Sequence, residues 1–245
     1  MSLQDPEFDK FKRAFKVENF DSALQSLKKL IAQYPHSFAL RWHHANVLEK
    51  LEMFTEARIA LSKVIKLRSN FVPALIMEVQ LDFHEHESHA ENDVLDADPA
   101  QKQQERFDAI EQRLYKILSI DPNAVDALHM LSGLLRGHAD DAHLAKANHL
   151  LNRAIDLAPE RVDLLEDRAN SLLVCGALEQ ALADFETCYE LSHQHRYGLR
   201  VGSILHDLGR FDEALATYDN VLAHVPVDDP YRPFIIERRT RSEHH

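Results

Sequence analysis

The fold of this chain is decided by residues 19–35, which read NFDSALQSLKKLIAQYP. Apolar side chains recur in this segment at helical spacing and share one face: Phe20, Ala23, Leu27 and Leu30. The closing Pro35 predicts the end of the helix, because proline donates no backbone hydrogen bond and clashes with the preceding turn. Residues 19–35 therefore predict an amphipathic helix whose apolar face must be covered by another part of the chain.

The same pattern recurs in five further segments of the chain. They read MFTEARIALSKVIKLRS (53–69), RFDAIEQRLYKILSIDP (106–122), HLAKANHLLNRAIDLAP (143–159), ALEQALADFETCYELSH (177–193) and RFDEALATYDNVLAHVP (210–226). Ala23 and Ala57 lie 34 residues apart, and so do Ala147 and Ala181. Prolines close four of the six segments: Pro35, Pro122, Pro159 and Pro226. This self-similarity predicts a tandem helical repeat.

A second helical segment precedes these helices, and it has its own small residue where a partner helix can approach closely. These small residues are Ala45, Ser132, Ala169 and Gly202. The alternation of two helical segments predicts antiparallel helix pairs. Because one pair cannot bury its apolar face alone, neighbouring pairs must stack and the ends need caps.

By its period, its paired small residues and its closing prolines, the chain resembles the tetratricopeptide repeat family. The resemblance covers about residues 4–228 and implies an all-α fold, a right-handed superhelix (α-solenoid) of antiparallel helix pairs with about six repeats and a C-terminal capping helix. Residues 1–245 are expected to form a single domain. The expected boundaries are about 4–36, 37–70, 71–123, 124–160, 161–194 and 195–228 for the repeats, and 229–243 for the cap.

The last segment, DPYRPFIIERRTR, carries the capping prediction. Ile235 and Ile236 are expected to cover the last exposed repeat helix, with Arg238, Arg239 and Arg241 in solvent. A separate basic interaction tail is the alternative interpretation of the same residues.

Composition excludes several classes of function. The chain has a formal net charge of −12 and only six glycines. Binding to nucleic acid requires clustered Lys and Arg, and phosphate loops require clustered glycines, so we expect no nucleic-acid partner and no cofactor. Cys175 and Cys188 match neither a disulfide framework nor zinc spacing, and are expected to be reduced, buried thiols.

Nothing in the sequence predicts a membrane partner. No apolar stretch reaches the roughly twenty residues that a membrane-spanning helix needs. The first residues, MSLQDPEFDKFKR, carry charges where a secretory signal would be apolar. A cytoplasmic location is therefore expected.

The resemblance implies a non-catalytic scaffold that binds an extended peptide or partner segment in a concave groove lined by the first helices of the repeats. Carried over position by position, the groove presents Lys12, Trp42, Asn46, Ile76, Gln80, Phe83, His129, Glu166, Asn170, Arg196, Leu199, Arg200 and Ser203. Amide side chains can bond a peptide backbone, and aromatic ones supply anchors. The alternative for Trp42, Ile76 and Phe83 is that they pack between adjacent repeats.

Other functions remain open beside this one. A subgroup of the family clamps chaperone C-termini with Lys, Asn and Arg. Only Arg196 and Arg200 fit this clamp, whereas Asp167, His129 and Gly133 stand where Asn, Lys and Asn are required, so the clamp is disfavoured. An enzyme is disfavoured because no nucleophile elbow, HExxH motif or phosphate loop occurs.

Residues 1–70 hold 12 Lys or Arg against 8 Asp or Glu, whereas the remainder is strongly acidic. Head-to-tail self-assembly, or a place as accessory subunit of a larger complex, is therefore an alternative, and a homo-oligomer is possible.

Two insertions rich in histidine and acid suggest a further hypothesis. Residues 82–100, DFHEHESHAENDVLDADPA, are expected to form a mobile acidic loop, and residues 137–143 read GHADDAH at the equivalent hairpin tip. Imidazole and carboxylate ligands suit zinc or nickel. The candidate metal ligands are His84, His86, His89, His138, Asp140 and His143. The default interpretation of both insertions is an acidic edge surface for a basic partner.

Overall fold

The computed structural model describes residues 5–89, 99–138 and 141–243, with side chains for these except 85–89, 99, 100 and 141. Thirteen α-helices and no strand occur in these ranges. They are α1 (Pro6–Lys16), α2 (Phe20–Gln33), α3 (Phe38–Lys50), α4 (Phe54–Leu67), α5 (Val72–His89), α6 (Pro99–Ile120), α7 (Val125–Arg136), α8 (Asp141–Leu157), α9 (Val162–Val174), α10 (Leu178–Ser192), α11 (His195–Asp207), α12 (Phe211–His224) and α13 (Arg232–Glu243). Within the same ranges, no helix is both long and apolar enough to cross a membrane.

The helices pack as consecutive pairs, which confirms the predicted all-α repeat fold. The chain divides into two compact units, Met1–Ala127 and Leu128–His245. In the first unit α1 packs on α2, α3 on α4 and α5 on α6. In the second, α9 packs on α10, α11 on α12 and α12 on α13. That residues 1–245 form a single domain stays a prediction.

The closing prolines end their helices as predicted. The four helices α2, α6, α8 and α12 end at Gln33, Ile120, Leu157 and His224, each two residues before its proline. Where no proline is present, α10 ends at Ser192 and is followed by a left-handed residue, His193, with φ 54°. Both devices stop the backbone hydrogen-bond ladder at the end of a repeat.

The predicted small residues of the paired helices are buried. Ala23, Ala57, Ala147, Ala181 and Ala214 are all 0% exposed. Their partners in the preceding helices, Ala45, Ser132, Ala169 and Gly202, are buried as well. A small side chain lets two backbones approach, and the flanking leucines then fill the remaining space between the helices.

The predicted acidic loop at residues 82–100 is wrong at both of its ends. Helix α5 continues to His89, and α6 already begins at Pro99; residues 90–98 lie outside the described ranges. Proline is favoured in the first turn of a helix, where its missing N–H has no partner to lose. Asp82 is not merely solvated, because it accepts hydrogen bonds from Arg58 of α4, at 2.7 Å, and from Arg113 of α6. These ion pairs hold the lengthened α5 against α4 and α6.

The C-terminal segment forms the predicted cap, with one correction. Ile235 is 0% exposed and α13 packs on α12, whereas Ile236 is 47% exposed and is not part of the core. Adjacent residues of a helix point about 100° apart, so only one of the two isoleucines can face the repeat. Arg239 is not simply in solvent either, since it pairs with Asp219 and Glu243.

The two cysteines differ in environment. Cys188 is buried in α10, and burial raises the pKa of its thiol to about 11. Cys175 is exposed at the end of α9, so the prediction of a buried thiol is wrong there. The apolar positions of α9 are instead filled by Leu164, Leu165 and Ala169.

Candidate functional site

A cavity opens between α11 and the C-terminal segment of the second unit. It encloses about 1020 Å³. One wall is a single face of α11 and carries Arg196, Leu199, Arg200 and Ser203. The other wall is formed by residues 225–238 and includes Tyr231, Phe234 and Arg238. We call this cavity the C-terminal cleft.

Helical periodicity places the four predicted α11 residues on one wall. Positions 196, 199, 200 and 203 are spaced three, four and seven residues apart, which aligns side chains along one face of a helix. The remaining faces of α11 are held by buried residues: Tyr197, Val201, Ile204 and Leu205. The helix is therefore seated on its core side and presents the predicted groove residues to the cleft.

The opposite wall is positioned by Arg232. Its Nη1 atom donates to the carbonyl oxygens of Leu222, at 2.8 Å, and Val225, at 2.6 Å, which ties the start of α13 to the end of α12. The backbone N–H of Tyr231 donates to Asp229 Oδ1 at 2.8 Å and closes the intervening turn. These bonds leave the Tyr231 side chain 70% exposed at the rim.

The cleft is rich in cations. Arg196 is engaged by Glu166, at 3.1 Å, and by Gln194, at 2.9 Å. Arg200 and Arg238 make no ion pair with any carboxylate in the described part of the chain, although the Arg238 guanidinium lies 5.0 Å from the Phe234 ring centroid. Asp229 is the acidic residue that lines the cleft, and its Oδ1 atom is occupied by the turn. The cleft thus presents unneutralised guanidinium groups within an acidic chain.

A polar network lies beside the cleft on α7, α9 and α11. His129 Nε2 lies 2.8 Å from Asp167 Oδ2, and Arg136 Nη2 donates to the same oxygen at 2.7 Å. Tyr197 donates to Glu166 Oε2 at 2.6 Å, and burial together with that carboxylate raises the pKa of Tyr197 to about 12. The predicted groove residues His129 and Glu166 are therefore both engaged in bonds between helices.

We expect the His129–Asp167 contact to make the second unit acid-sensitive. The hydrogen bond from His129, followed by that from Arg136, holds the pKa of the Asp167 carboxyl below its ordinary value despite partial burial. A depressed carboxyl pKa stabilises the fold fully above about pH 4, and this contribution is lost as the pH falls through the folded-state value. Asp167→Asn should therefore lower the melting temperature at neutral pH and flatten its dependence on pH in acid.

Melting temperatures measured by circular dichroism from about pH 7 to about pH 3 check this prediction. Asp228→Asn is the control, because Asp228 is exposed and makes no ion pair within the described residues. Parallel curves for the unmodified protein and Asp167→Asn would show that the contact does not contribute.

The predicted groove residues of the first unit are less available than those of α11. Trp42 is half-buried and packs edge-to-face on Phe71, with ring centroids 5.2 Å apart. Phe71 precedes α5, so Trp42 packs against the next repeat, as the alternative interpretation expected. The Asn46 amide donates to the Trp42 carbonyl oxygen at 2.9 Å.

The other predicted groove positions vary in exposure. Ile76 is only 9% exposed, and Phe83 is half-buried. Gln80, Asn170 and Lys12 are exposed, and the Lys12 ammonium lies 4.4 Å from the Phe8 ring centroid. The binding role of the exposed positions stays a prediction, whereas Ile76 has little surface to offer a partner.

The hypothesis of a metal site is not tested. The His84 ring stacks on Phe54 at 4.9 Å, and the rings of His138 and His143 stack at 4.5 Å. His86 and His89 belong to the residues without described side chains, and Asp140 lies outside the described ranges. Among the described side chains, no group of three or more His, Cys, Asp or Glu is placed to hold a metal ion.

Two smaller cavities lie elsewhere. One of about 410 Å³ lies beside His44 in the first unit, where burial, followed by the charge of Lys28, lowers the pKa of the imidazole. The other encloses about 440 Å³ around Arg168 and Asp184, whose charges neutralise each other. Neither of these two cavities contains a predicted groove residue.

Sequence reasoning missed the second wall of the C-terminal cleft. Tyr231, Phe234 and Arg238 were assigned only to a cap or a tail. Their spacing of three and four residues was the available signal, because it places an aromatic and cationic stripe beside Ile235. What remained hidden was the partner surface of that stripe.

Comparison with known families identifies part of the repeat by sequence. The model described as tetratricopeptide repeat matches residues 8–70. Comparison with curated proteins finds none that matches. Residues 8–70 cover most of α1 and the whole of α2, α3 and α4.

Solved structures extend the similarity along the chain. PilW, a widely conserved type IV pilus biogenesis factor, is 13% identical with a TM-score of 0.66, covering 94% of this chain and 96% of its own. PilF of Pseudomonas aeruginosa is 15% identical with a TM-score of 0.59, covering 84% and 86%. YrrB, a tetratricopeptide repeat protein with an unusual peptide-binding site, is 16% identical with a TM-score of 0.53, covering 91% and 100%. At these identities the similarity concerns the fold alone.

Proposed function

Because the chain has the tetratricopeptide repeat fold, with a match to that family at residues 8–70, we propose that it is a non-catalytic scaffold for protein–protein interaction. The C-terminal cleft binds an extended segment of a partner protein. One observation carries this proposal: the predicted groove residues of α11 and the exposed aromatic residues of the C-terminal segment line the same cleft. An open, mixed apolar and polar surface of this kind suits a peptide.

The site chemistry supports binding rather than catalysis. Arg196, Glu166 and Tyr197 bond to one another in the margin of the cleft, and burial raises the pKa of the Tyr197 phenol away from neutrality. The His129–Asp167 pair beside the cleft is held by Arg136. A catalytic acid and base need pKa values near the working pH and convergence on one reacting atom.

We propose a cytoplasmic location for this function, since the free thiols of Cys175 and Cys188 suit a reducing compartment.

Site-specific photocrosslinking tests the scaffold function. With p-benzoylphenylalanine in place of Leu199, half-buried in the wall of the cleft, irradiation in extract of the native cells should link a defined partner segment. The same photoreactive residue in place of Ala216, exposed on α12, is the matched control. Mass spectrometry of the linked peptides reads out the result. If Leu199 yields no adduct, or the same adducts as Ala216, the cleft is not the binding site.

A further inference from the structure

We propose that α13 is a binding element as well as a cap, and that with α11 it recognises an acidic segment of a partner protein. Arg200 and Arg238 bind side-chain carboxylates of that segment. An apolar side chain between those carboxylates packs on Phe234. The proposal rests on the proposed scaffold function and names the chemistry of its partner.

The first step is that Arg200 and Arg238 lack an ion-pair partner among the described residues. In the same unit, Arg136 pairs with Asp167, Arg168 with Asp184 and Arg239 with Asp219. Arg200 and Arg238 line the cleft with no carboxylate partner among the described residues, in a chain with a net charge of −12. Carboxylates are abundant in this chain, yet none of those described pairs with Arg200 or Arg238. We infer that an acidic group of another molecule neutralises these two guanidinium groups. Guanidinium groups bind carboxylates through paired, charge-assisted hydrogen bonds.

The second step is the division of α13 into two faces. Ile235 is 0% exposed and Ser242 is bonded to His206 Nδ1 at 2.9 Å, so these residues seat the helix. Phe234 and Arg238 lie one turn apart on the neighbouring face, and Phe234 is 44% exposed. A helix that served only as a cap would gain nothing from an exposed phenylalanine beside an unpaired cation.

The third step concerns the apolar surface. Tyr231, Phe234 and Leu199 line the cleft beside the two arginines. Exposed aromatic side chains next to arginine are the residue types that dominate binding energy at protein interfaces. Carboxylates alone would leave this surface uncovered, whereas a segment that alternates acidic and apolar residues would cover both.

The fourth step excludes nucleic acid as the favoured occupant. A phosphate backbone requires cations spread along a surface, whereas the two free guanidinium groups lie within one cavity of about 1020 Å³. Asp229 lines the cleft, and Glu166 lies at its margin in contact with Arg196. With these carboxylates in and beside the cleft, the free positive charge is confined to two guanidinium groups, which match a short acidic segment rather than a continuous polyanion.

Fluorescence anisotropy with defined probes tests the proposal. The probe is an end-blocked, fluorescein-labelled peptide, SEELDEFS, and its uncharged counterpart is SQQLNQFS. We expect SEELDEFS to bind more tightly than SQQLNQFS, and Arg200→Gln or Arg238→Gln to weaken its binding roughly tenfold each. Phe234→Ala should weaken both peptides. Arg241→Gln, a change of the same charge on the same helix but outside the cleft, should leave binding unchanged.

Reversing the charge of Arg200 provides a second test beside the neutral variants Arg200→Gln and Arg238→Gln. Arg200→Glu should lose SEELDEFS and gain affinity for the basic peptide SKKLNKFS, and circular dichroism establishes that the variant is folded. Equal affinity of the unmodified protein for SEELDEFS and SQQLNQFS would overturn the proposal, as would an equal loss in Arg241→Gln. Tighter binding of an oligouridine probe through Arg200 and Arg238 would also overturn it, in favour of nucleic acid.

The two proposals fail separately. If SEELDEFS does not bind while the photoadduct at Leu199 forms, the acidic-segment proposal is wrong and the scaffold function stands. If neither result is obtained, the function proposed for the cleft is wrong as well.

Discussion

Replacing Arg168 with methionine is expected to lower the free energy of unfolding of the second unit by about 3 kcal/mol. Arg168 of α9 forms a two-point ion pair with Asp184 of α10, with Nε–Oδ2 at 2.8 Å and Nη2–Oδ1 at 2.7 Å. The Asp184 side chain is 8% exposed, so removal of Arg168 leaves a buried carboxylate without its cation. The penalty comes from the desolvation of that charge rather than from loss of the attraction alone.

Urea unfolding followed by circular dichroism measures this effect. The double variant Arg168→Met with Asp184→Leu should recover most of the loss, because no buried charge remains. Arg241→Met is the exposed comparison: Arg241 pairs with Glu237 at 3.6 Å, and its side chain is 54% exposed. Loss of such a surface pair should cost less than about 1 kcal/mol. Equal losses for Arg168→Met and Arg241→Met would contradict the role assigned to the buried pair.

Gly202→Ala is the second change expected to have a large effect, because the added methyl group has no space. A Cβ atom at Gly202 would lie 2.5 Å from Tyr218 Cε1 and 2.7 Å from Cζ. Tyr218 is 1% exposed, so its ring cannot move aside without disturbing the core between α11 and α12. We expect a loss of about 1–3 kcal/mol in the free energy of unfolding. This loss outweighs the gain of up to about 1 kcal/mol from the higher helix propensity of alanine.

Gly133→Ala is the matched control for that substitution. Gly133 lies inside α7 and is exposed, and an added Cβ would make only an ordinary van der Waals contact with Arg136 Nη2 at 3.9 Å. The same glycine-to-alanine change should therefore stabilise the helix by up to about 1 kcal/mol. Thermal unfolding of the two variants should give shifts of opposite sign. A rise in the melting temperature for both would show that α11 and α12 are not packed as closely as described.

The predicted groove was only partly recoverable from sequence. Arg196, Leu199, Arg200 and Ser203 could be placed on one face because helical periodicity needs only local information. Trp42 could be assigned an orientation around its own helix, but not the contact with Phe71 that covers it. Whether a side chain at a groove position is free depends on the residue that the next helix brings against it.

Helix boundaries show the same distinction. The closing prolines predicted the ends of four helices because proline acts within one turn of its own position. The continuation of α5 through Asp82 was not predicted, since the acidic composition of residues 82–89 favoured a loop. The pairing of Asp82 with Arg58 and Arg113 joins residues that are distant in sequence.

The amino-acid sequence by itself determined the repeat, the pairing of its helices, the small residues at their contacts and the helix-ending prolines. These features follow from spacing within a few turns, where backbone geometry dictates which side chains share a face. The tertiary structure alone decided that Arg200 and Arg238 line one cleft, and that Arg168 pairs with Asp184 while these two arginines make no ion pair with a carboxylate of the described residues. The reason is that a charge is neutralised by whatever folding brings within a few ångströms of it, and no local pattern encodes that distance.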